Sequence, residues 1–341
     1  MTYSEIWHRI ATSYEDGEAR AIARILIEEL FGLSYTDIVC GATDQLSADD
    51  TLRLDTAVRR IEQGEPLQHV LGYADFCGNH FGVNASVLIP RPETEWLVDE
   101  GERLINGVSN AAPPAPKRIL DIGTGSGCIA ISLKLRLGEA YVEAWDISEE
   151  ALRTAESNAK ALKAEVAFCK RDALRAEESV APWDLIVSNP PYICDSERAA
   201  MDDNVLLHEP HTALFVPDDD PLRFYRAIAR YAQSSLSNGG SLLFECNTRY
   251  AEATGEMMRA WIYSIAPTSK PLVGCTATSK LCGLSSSLAT IAFCWLPPDM
   301  LRAFVIGPCP LLTSNLSISP SAYFRTSSNL IKPPFWNCGS K

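Results

Sequence analysis

The sequence predicts an α/β protein in which a mostly parallel sheet follows a small N-terminal helical domain. Residues 117–133 read as a short apolar strand, a glycine-rich turn and an apolar helix. Residues 184–193 read as a second apolar strand that ends in Asn-Pro-Pro-Tyr. From Arg118 onward, strand and helix patterns alternate, which is typical of a parallel sheet. Ligands bind at the carboxyl ends of such strands, so we expect both motifs at one edge of the sheet.

The composition is that of a globular protein and gives no sign of membrane or nucleic-acid binding. The chain has 341 residues, enough for one large or two ordinary domains, and 46% of them are hydrophobic. Its formal net charge of −13 provides no overall basic surface. The first residues lack the features of a secretory signal, and no apolar stretch reaches the ~18 residues of a membrane span. We therefore expect a cytoplasmic protein that binds no membrane and no nucleic acid stably.

The cysteine pattern predicts free thiols. None of the 11 cysteines falls in a Cys-x-x-Cys pair or near histidines at zinc-ligand spacing. The sequence therefore indicates no metal requirement.

Apolar residues recur at helical spacing through residues 4–64, and we predict a helical domain over residues 1–72. Ser4 and Ser47 stand where helix N-caps belong, and Gly32 and Gly64 stand where helices end. Such a domain either packs against the rest of the chain or grips a macromolecular partner. The pattern alone favours neither role.

The apolar period shortens between residues 65 and 90, where turn residues separate Phe76, Phe81 and Val83. We predict a β-hairpin connector over residues 73–90. The next helix starts beside Pro92 and opens a second domain over residues 91–261, which contains a linker by composition at residues 106–116.

Acids follow the later strands of the predicted sheet. The second strand ends at Asp146, where an acid either binds both hydroxyls of a ribose or caps a helix. The third strand leads to Asp172, which either accepts a hydrogen bond from an adenine amino group or begins a turn. The remaining predicted elements are a helix at 151–162, a strand at 166–169, a helix at 221–236 closed by Asn238 and Gly239, a strand at 241–246 and a helix at 250–261.

The turn after the first strand contains Gly123, Gly125 and Gly127. Glycine permits a positive φ and a close approach of the backbone to a ligand, and the following helix offers free N–H groups. The spacing also resembles the dinucleotide fingerprint, so alone it does not separate one nucleotide cofactor from another.

The Asn-Pro-Pro-Tyr segment predicts the chemistry. An amide nitrogen, or an amino nitrogen on an unsaturated carbon, is a poor nucleophile because its lone pair is delocalised. A site that methylates such a nitrogen must accept both of its N–H hydrogens. Asn189 supplies a side-chain acceptor, and the Pro190 carbonyl supplies another on the stiff backbone of Pro190 and Pro191. Tyr192 offers a flat face for stacking, and such positioning needs no strong general base.

In combination, the glycine loop, Asp146 and Asn-Pro-Pro-Tyr resemble class I S-adenosylmethionine-dependent methyltransferases that act on amide or amino nitrogens. The order of parts resembles the HemK or PrmC family, whose members methylate a glutamine side-chain amide in peptide chain release factors. The resemblance covers about residues 1–261 and includes EPLQHVLGYADFCGNHFGV at 65–83, LIPRPETEWLV at 88–98 and HEPHTALFVPDDDPLRFYRAI at 208–228.

This resemblance implies a Rossmann-like fold, S-adenosyl-L-methionine as cofactor, and a release factor gripped by the helical domain and methylated in its Gly-Gly-Gln loop. The implied cofactor-binding residues are Asp121, Gly123, Thr124, Gly125, Ser126, Gly127, Asp146, Asp172, Ala173 and Asn189. The implied catalytic residues are Asn189, Pro190, Pro191 and Tyr192, and the RPET segment at residues 91–94 would line the cofactor pocket. We expect a monomer that binds its substrate protein transiently.

Two features depart from the family pattern. Ala173 stands where many members have an aromatic residue, so one wall of the adenine pocket is missing or is supplied elsewhere. Residues 262–341 contain no glutamate, one aspartate and five cysteines, and they show neither helix nor strand periodicity. Family members usually end in an antiparallel strand pair. We therefore hypothesise that this tail is out of frame or otherwise altered and leaves the sheet edge incomplete.

Three other functions fit parts of the sequence. An adenine-N6 methyltransferase acting on DNA or RNA would use the same acceptors, but it needs basic surface, and residues 1–261 carry all but one of the 43 acids. A catalytically impaired homologue that only binds S-adenosylmethionine is the second reading, and the intact glycines and Asn189 argue against it. An NAD-dependent dehydrogenase rests on the glycine loop alone and gives Asn-Pro-Pro-Tyr no role.

Overall fold

A computed structural model of the chain describes residues 1–107, 116–177, 179–265, 290–293 and 302–307. The chain forms two compact units, one made of Met1–Leu71 and the other beginning at Gly72. Most of the linker predicted at residues 106–116 lies outside the described residues.

The first unit is helical, as the sequence predicts. Its α-helices are α1 (Tyr3–Ile10), α2 (Asp16–Phe31), α3 (Tyr35–Val39), α4 (Ala48–Glu62) and α5 (Leu67–Leu71). The apolar stripes of these helices meet in one buried cluster, whose largest members include Ile6, Ile10, Leu26 and Ile27. Arg9 of α1 joins α4 by ion pairs of 2.7 Å to both Asp55 and Glu62.

Helix ends in this unit follow the expected capping chemistry with one exception. The Ser47 hydroxyl accepts the Asp50 N–H at the start of α4, and Gly32 ends α2 in the left-handed region with φ of 66°. Ser4 as the first N-cap is wrong. Thr2 caps α1 instead, because its extended backbone lets its hydroxyl accept the Glu5 N–H while the Glu5 carboxylate accepts the Thr2 N–H.

The predicted β-hairpin opens the second unit. Strand β1 (Tyr73–Phe76) pairs antiparallel with β2 (Asn79–Gly82). The two residues between them, Cys77 and Gly78, both have positive φ, which matches the twist of a tight hairpin. The Cys77 N–H donates to Glu95 at 2.7 Å and so ties this turn to the first residue of the next helix.

A sheet of seven strands, counted over the described residues, forms the centre of the second unit. Its strands are β3 (Arg118–Ile122), β4 (Tyr141–Asp146), β5 (Ala167–Lys170), β6 (Trp183–Ser188), β9 (Leu236–Cys246), β10 (Thr290–Phe293) and β11 (Arg302–Gly307). Their order across the sheet is β10-β11-β9-β6-β3-β4-β5. The five strands from β9 to β5 are parallel, and β11 and β10 add antiparallel pairs beyond β9. This mostly parallel sheet confirms the predicted fold class.

Helices cover both faces of the sheet. They include α6 (Glu95–Gly107), α7 (Cys128–Leu137), α8 (Glu149–Leu162), α11 (Arg223–Ser235) and α12 (Ala251–Ile265). Along β3, Ile119 faces the cluster that contains α6 and α7 residues, and Leu120 faces the cluster that contains α11 and α12 residues. Because both faces are buried, the strands read as continuous apolar runs.

A small addition lies between β6 and α11. It comprises β7 (Ile193–Cys194), α9 (Asp203–His208), α10 (His211–Leu214) and β8 (Phe215–Val216), and β7 pairs parallel with β8. None of the helices in the described part of the chain has both the length and the apolar character needed to cross a bilayer.

The sheet edge differs from expectation. We expected residues 262–341 to leave it incomplete, but β9 pairs along Leu242–Cys246 with β11, and β11 pairs with β10. The runs TIAF and RAFVIG are short and rich in β-branched and aromatic residues, which favour strands even without a longer alternating pattern. Helix α12 also extends beyond residue 261, to Ile265. The remainder of the predicted tail falls outside the described residues.

The predicted helix end at Asn238 and Gly239 is also wrong. Helix α11 ends at Ser235, and β9 begins at once with Leu236. A Cβ on the neighbouring Gly240 would lie 2.8 Å from the Trp183 carbonyl oxygen. A glycine here therefore permits close backbone approach at an irregular start of the strand pair, rather than a helix terminus.

Asn158 of α8 connects three parts of the second unit. Its side chain is buried, accepts the Gly82 N–H at 2.8 Å, and donates to the carbonyls of Gly82 at 3.0 Å and Ser126 at 2.9 Å. The hairpin and the glycine loop are thereby held against the same helix.

Replacement of Asn158 by alanine should lower the free energy of unfolding by about 2–3 kcal/mol, because it leaves the Gly82 N–H and two carbonyls without their partner. Urea unfolding monitored by circular dichroism measures this. Glu156→Ala, an exposed change on the same helix, is the control and should stay within about 0.5 kcal/mol of the unmodified protein. Equal effects of the two substitutions would contradict the connecting role.

Candidate active site

The two predicted motifs meet at the carboxyl edge of the sheet. Strand β3 lies between β4, its successor in the chain, and β6, so the connections from β3 and β6 diverge and open a crevice there. The glycine loop follows β3, and Asn189 follows β6. A Cβ on Gly123 would lie 4.0 Å from the Asn189 carbonyl oxygen, so these two backbones approach each other directly.

Backbone hydrogen bonds and glycine conformations determine the shape of the loop. The N–H groups of Gly123 and Thr124 donate to the Trp145 carbonyl at 2.8 and 2.9 Å. Gly125 has φ of 55° with no heavy atom within 4 Å of a Cβ built on it, which leaves open space for a ligand. Gly127 has φ of 82°, and a Cβ there would lie 2.8 Å from Ile131, so a larger residue would clash as well as be strained.

Asp121 lies beneath the loop and is completely buried. Its Oδ2 accepts the Thr124 hydroxyl at 2.7 Å, which ties the loop to the end of β3. Burial raises the pKa of Asp121 to about 7, and the nearby Asp146 carboxylate adds to this, whereas the Thr124 hydrogen bond opposes it. Asp121 therefore supports the loop from below instead of presenting an exposed oxygen to a ligand. Ser126 is also buried.

Asp146 lies at the end of β4 and is partly exposed. Its oxygens accept the N–H groups of Gly125 and Ser148, both at 2.9 Å. A carboxylate has about four acceptor positions, so each oxygen keeps capacity for a ligand hydroxyl. Both alternatives considered for this acid are compatible with these contacts, since Ser148 itself begins α8.

Asp172 begins a turn. Its side chain accepts the Leu174 N–H at 2.9 Å and caps the short 3₁₀ turn Ala173–Arg175. Ala173 is half buried and packs against the apolar cluster that contains Trp145. The structure therefore brings Asp172 to the sheet edge without engaging every acceptor on it.

Asn189, Tyr192, Thr94 and Glu245 form a hydrogen-bonded group on the other side of the crevice. The Thr94 hydroxyl donates to Glu245 Oε2 at 2.8 Å, and the Tyr192 hydroxyl donates to Glu245 Oε1 at 3.2 Å. The Asn189 amide donates to Thr94 Oγ1 at 3.4 Å. Pro190 is buried, while Pro191 and the Tyr192 ring are partly exposed. Asn189 and Tyr192, the two ends of Asn-Pro-Pro-Tyr, are thus anchored by groups from the segment that leads into α6 and from β9.

Burial dominates the ionisation of this group. It raises the pKa of Glu245 to about 7, although hydrogen bonds from Thr94, Tyr192 and Asn189 favour the charged form. Burial and the Glu245 carboxylate raise the pKa of Tyr192 well above its usual value. At neutral pH the phenol is therefore a donor, whereas Glu245 lies near its midpoint.

The first and last residues of the RPET segment, Arg91 and Thr94, have different hydrogen-bond partners. Arg91 pairs with Glu209 at 2.5 Å, and Glu209, buried at 4% exposure, also accepts the Ile89 N–H at 3.1 Å. Thr94 belongs to the Asn189 group described above. The sequence-based prediction missed Glu209 and Glu245 as site residues. The signals that were available are the acid inside the apolar strand 241–246 and the acid in HEPH at 208–211.

Two family models and many curated proteins are similar to this chain. Residues 95–214 match the family model described as methyltransferase small domain, and residues 8–72 match the one described as PrmC N-terminal domain. The release factor glutamine methyltransferase of Bacteroides thetaiotaomicron is 43% identical over 262 residues, which are 76% of this chain and 91% of the relative. The protein of the same name from Flavobacterium psychrophilum is 37% identical over 269 residues, 78% of this chain and 92% of the relative.

Asp121→Asn should raise the free energy of unfolding at pH 8 and not at pH 4. The folded protein holds a proton on Asp121 up to about pH 7, whereas an unfolded chain releases it near pH 4, so stability falls as the pH rises between these values. Asparagine removes this loss, which amounts to roughly 2–4 kcal/mol for a shift of this size. Urea unfolding at both pH values measures the difference. The exposed Glu139→Gln serves as control, and a stabilisation by Asp121→Asn that is equal at both pH values would contradict the burial argument.

Proposed function

The chain belongs to the family of release factor glutamine methyltransferases, and on that premise we propose that it methylates the side-chain amide nitrogen of the Gly-Gly-Gln glutamine in a peptide chain release factor. The observation that carries the proposal is the approach of Asn189 to the glycine loop, with the Asn189 carbonyl 4.0 Å from a Cβ on Gly123. An amide held by Asn189 would lie next to a cofactor held by the loop.

The methyl donor we propose is S-adenosyl-L-methionine. When bound, it supplies a methyl group on a positively charged sulfur. The space in front of Gly125 and the free acceptor capacity of Asp146 fit the methionine and ribose parts of such a molecule. Asp172 would accept from the adenine amino group, with Ala173 beside it. Asp121 and Ser126 would act indirectly, by holding the loop in its shape.

The amide substrate would be oriented by hydrogen-bond acceptors. Asn189 Oδ1 and the Pro190 carbonyl would each accept one N–H of the glutamine side chain. Both hydrogens would then lie in the acceptor plane, and the lone pair on nitrogen would be directed out of it, toward the loop. The partly exposed Tyr192 ring would stack on the planar amide, and its position is fixed by the hydrogen bond from its hydroxyl to Glu245. Such positioning supplies catalysis without a strong base, because orientation removes much of the entropic barrier.

The helical unit is the part we propose to grip the release factor. Three large apolar residues on it are exposed, namely Tyr35, Val39 and Leu52, at 51%, 61% and 66%. Tyr35 and Val39 lie four residues apart and therefore on one face of α3. We propose a monomer that forms a transient complex with its substrate, acts in the cytoplasm where translation takes place, and binds no nucleic acid stably.

Asn189→Ala should strongly lower the rate of methyl transfer and weaken cofactor binding much less than Asp146→Ala does, although the family resemblance also counts Asn189 among the cofactor-binding residues. Removal of one oriented acceptor typically costs about 10²–10³-fold in rate, while Asn189 makes no described hydrogen bond to the glycine loop. Transfer from labelled S-adenosylmethionine to a purified release factor gives the rate, and calorimetric titration gives the affinity. Asp146→Ala is the matched variant and should weaken cofactor binding by about 10-fold or more.

A release factor whose Gly-Gly-Gln glutamine has been replaced is the substrate control in the same transfer assay. Transfer that persists on that substrate would overturn the proposed target nitrogen. Cofactor binding that is lost equally in Asn189→Ala and Asp146→Ala would overturn the division of the site into two halves.

Combined replacement of Tyr35 and Val39 by serine should raise the KM for the release factor by about 5- to 20-fold and leave kcat unchanged. The reason is that apolar surface removed from an interface weakens association without touching the reacting groups. Steady-state kinetics at saturating cofactor measures both constants. Val180→Ser, which replaces an even more exposed apolar residue of the second unit, is the control and should change neither. A lower kcat with unchanged KM would contradict the gripping role of this face.

A further inference from the structure

Glu245 is a buried carboxylate that the proposed chemistry does not use. It lies in β9, an interior strand of the sheet, and is 3% exposed, yet it contacts three side chains of the crevice. Each of its two oxygens accepts one hydroxyl group, Oε2 that of Thr94 at 2.8 Å and Oε1 that of Tyr192 at 3.2 Å. Burial of a carboxylate destabilises the folded protein unless hydrogen bonds compensate for the lost water. The question is what these contacts do for the site.

The direction of the hydrogen bonds links Glu245 to the orientation of the Asn189 side chain. Thr94 has one hydroxyl hydrogen, and it is donated to Glu245. The Thr94 oxygen is then left only as an acceptor toward Asn189. The Asn189 side chain must therefore turn its NH₂ group, and not its oxygen, to Thr94, and this is the arrangement observed at 3.4 Å. The Asn189 side chain also donates a hydrogen bond to Glu245 itself, and this contact favours the charged form of Glu245.

We propose that Glu245, acting through Thr94, is the positioning residue that fixes the orientation of the Asn189 amide so that Asn189 Oδ1 faces the substrate. This inference rests on the proposed function for the identity of the substrate amide. An Asn189 amide rotated by half a turn would present NH₂ to the N–H groups of the substrate and would repel them. Glu245 is thus required to accept hydrogen bonds and does not itself touch the reacting atoms.

Protonation of Glu245 opposes this orientation. A proton on Oε2 would be donated to Thr94 Oγ1, and the Thr94 hydrogen would then be free to donate to Asn189 and to favour the rotated amide. The groups that face Glu245 are Glu93, which raises its pKa, and Tyr192. Tyr225 on α11 and Cys246 on the same strand are close to Tyr192 and Glu245, and Arg91 acts on Tyr192. Since the pKa of Glu245 is about 7, activity should rise as the pH increases through 7.

Four substitutions separate hydrogen bonding from folding. Thr94→Val keeps the shape and removes the relay, and Thr94→Ser restores the hydroxyl. Glu245→Met keeps the length and removes both carboxylate acceptors, and Glu245→Gln keeps one acceptor oxygen but cannot ionise.

We expect Thr94→Val and Glu245→Met to lower kcat by about 10- to 100-fold, with the cofactor affinity measured by calorimetry unchanged. Thr94→Ser should retain most of the activity. Glu245→Gln should retain more than Glu245→Met and lose the rise in kcat near pH 7.

Two controls isolate the effect. Glu143→Gln changes a glutamate that accepts hydrogen bonds from Tyr141 and Trp145 in another strand of the same sheet, and it should leave the pH profile unchanged. Asp121→Asn should also keep the rise near pH 7, although Asp121 titrates in the same range. Wild-type kcat in Thr94→Val, or a pH step that survives in Glu245→Gln, would overturn the proposal.

A nuclear magnetic resonance titration tests the inference without any methyl transfer. The side-chain amide signal of Asn189 is assigned by its loss in Asn189→Ala and is followed from pH 5.5 to 8.5 in the full chain. It should shift with a midpoint near 7 in the unmodified protein and stay constant in Glu245→Gln. A signal that does not respond to pH in the unmodified protein would overturn the inference. Absence of methyl transfer to the release factor alongside the expected shift would overturn only the proposed function.

Discussion

The parallel pairing of β3 with β6 is the constraint on which the site depends. Asp121 stands opposite Val187 in this pair, so the two strands end at the same level and release the glycine loop and Asn189 side by side. The side-chain period of a strand is two, so a shift of one residue would turn every side chain of β6 to the other face. Such a slip would move Ile186 and Val187 between the two apolar clusters. Burial of both faces therefore fixes the register, and the register fixes the distance between the two halves of the site.

Two buried acids at the carboxyl edge of the sheet lower the stability of the folded protein. Asp121 and Glu245 are both almost completely inaccessible to solvent, and burial raises the pKa of each to about 7. Their charged forms are disfavoured in the folded protein, so both acids destabilise it above neutral pH. Each carboxylate nevertheless accepts a threonine hydroxyl that orients a neighbouring segment, Thr124 in the loop and Thr94 beside Asn189. Perturbed acids in a crevice are a common property of functional sites, and here both have a structural explanation.

The parts of the fold that the sequence predicted correctly are local in origin. A glycine run between an apolar strand and an apolar helix, or Asn189 directly after an apolar strand, is a pattern of neighbouring residues. The Thr94–Glu245 contact joins positions 151 residues apart, and no periodicity reports it. The errors have similar causes. Thr2 and Ser4 both suit an N-cap, and only the backbone conformation selects Thr2. The strands at the sheet edge are short and their pairing partner is distant, so composition alone did not reveal them.

The acceptors around Asn189 do not by themselves choose a substrate. A glutamine amide and an adenine amine both present N–H groups on a planar, delocalised nitrogen, and an oriented Asn189 oxygen would accept either. Selection must therefore come from surfaces outside the crevice. A nucleic acid would meet a chain with a net charge of −13, which repels phosphates. A protein loop meets no such barrier, and residues 8–72 form a separate helical unit with exposed apolar residues. On our proposal, recognition by the helical unit and chemistry in the second unit would explain how a site suited to two classes of nitrogen can serve a protein substrate.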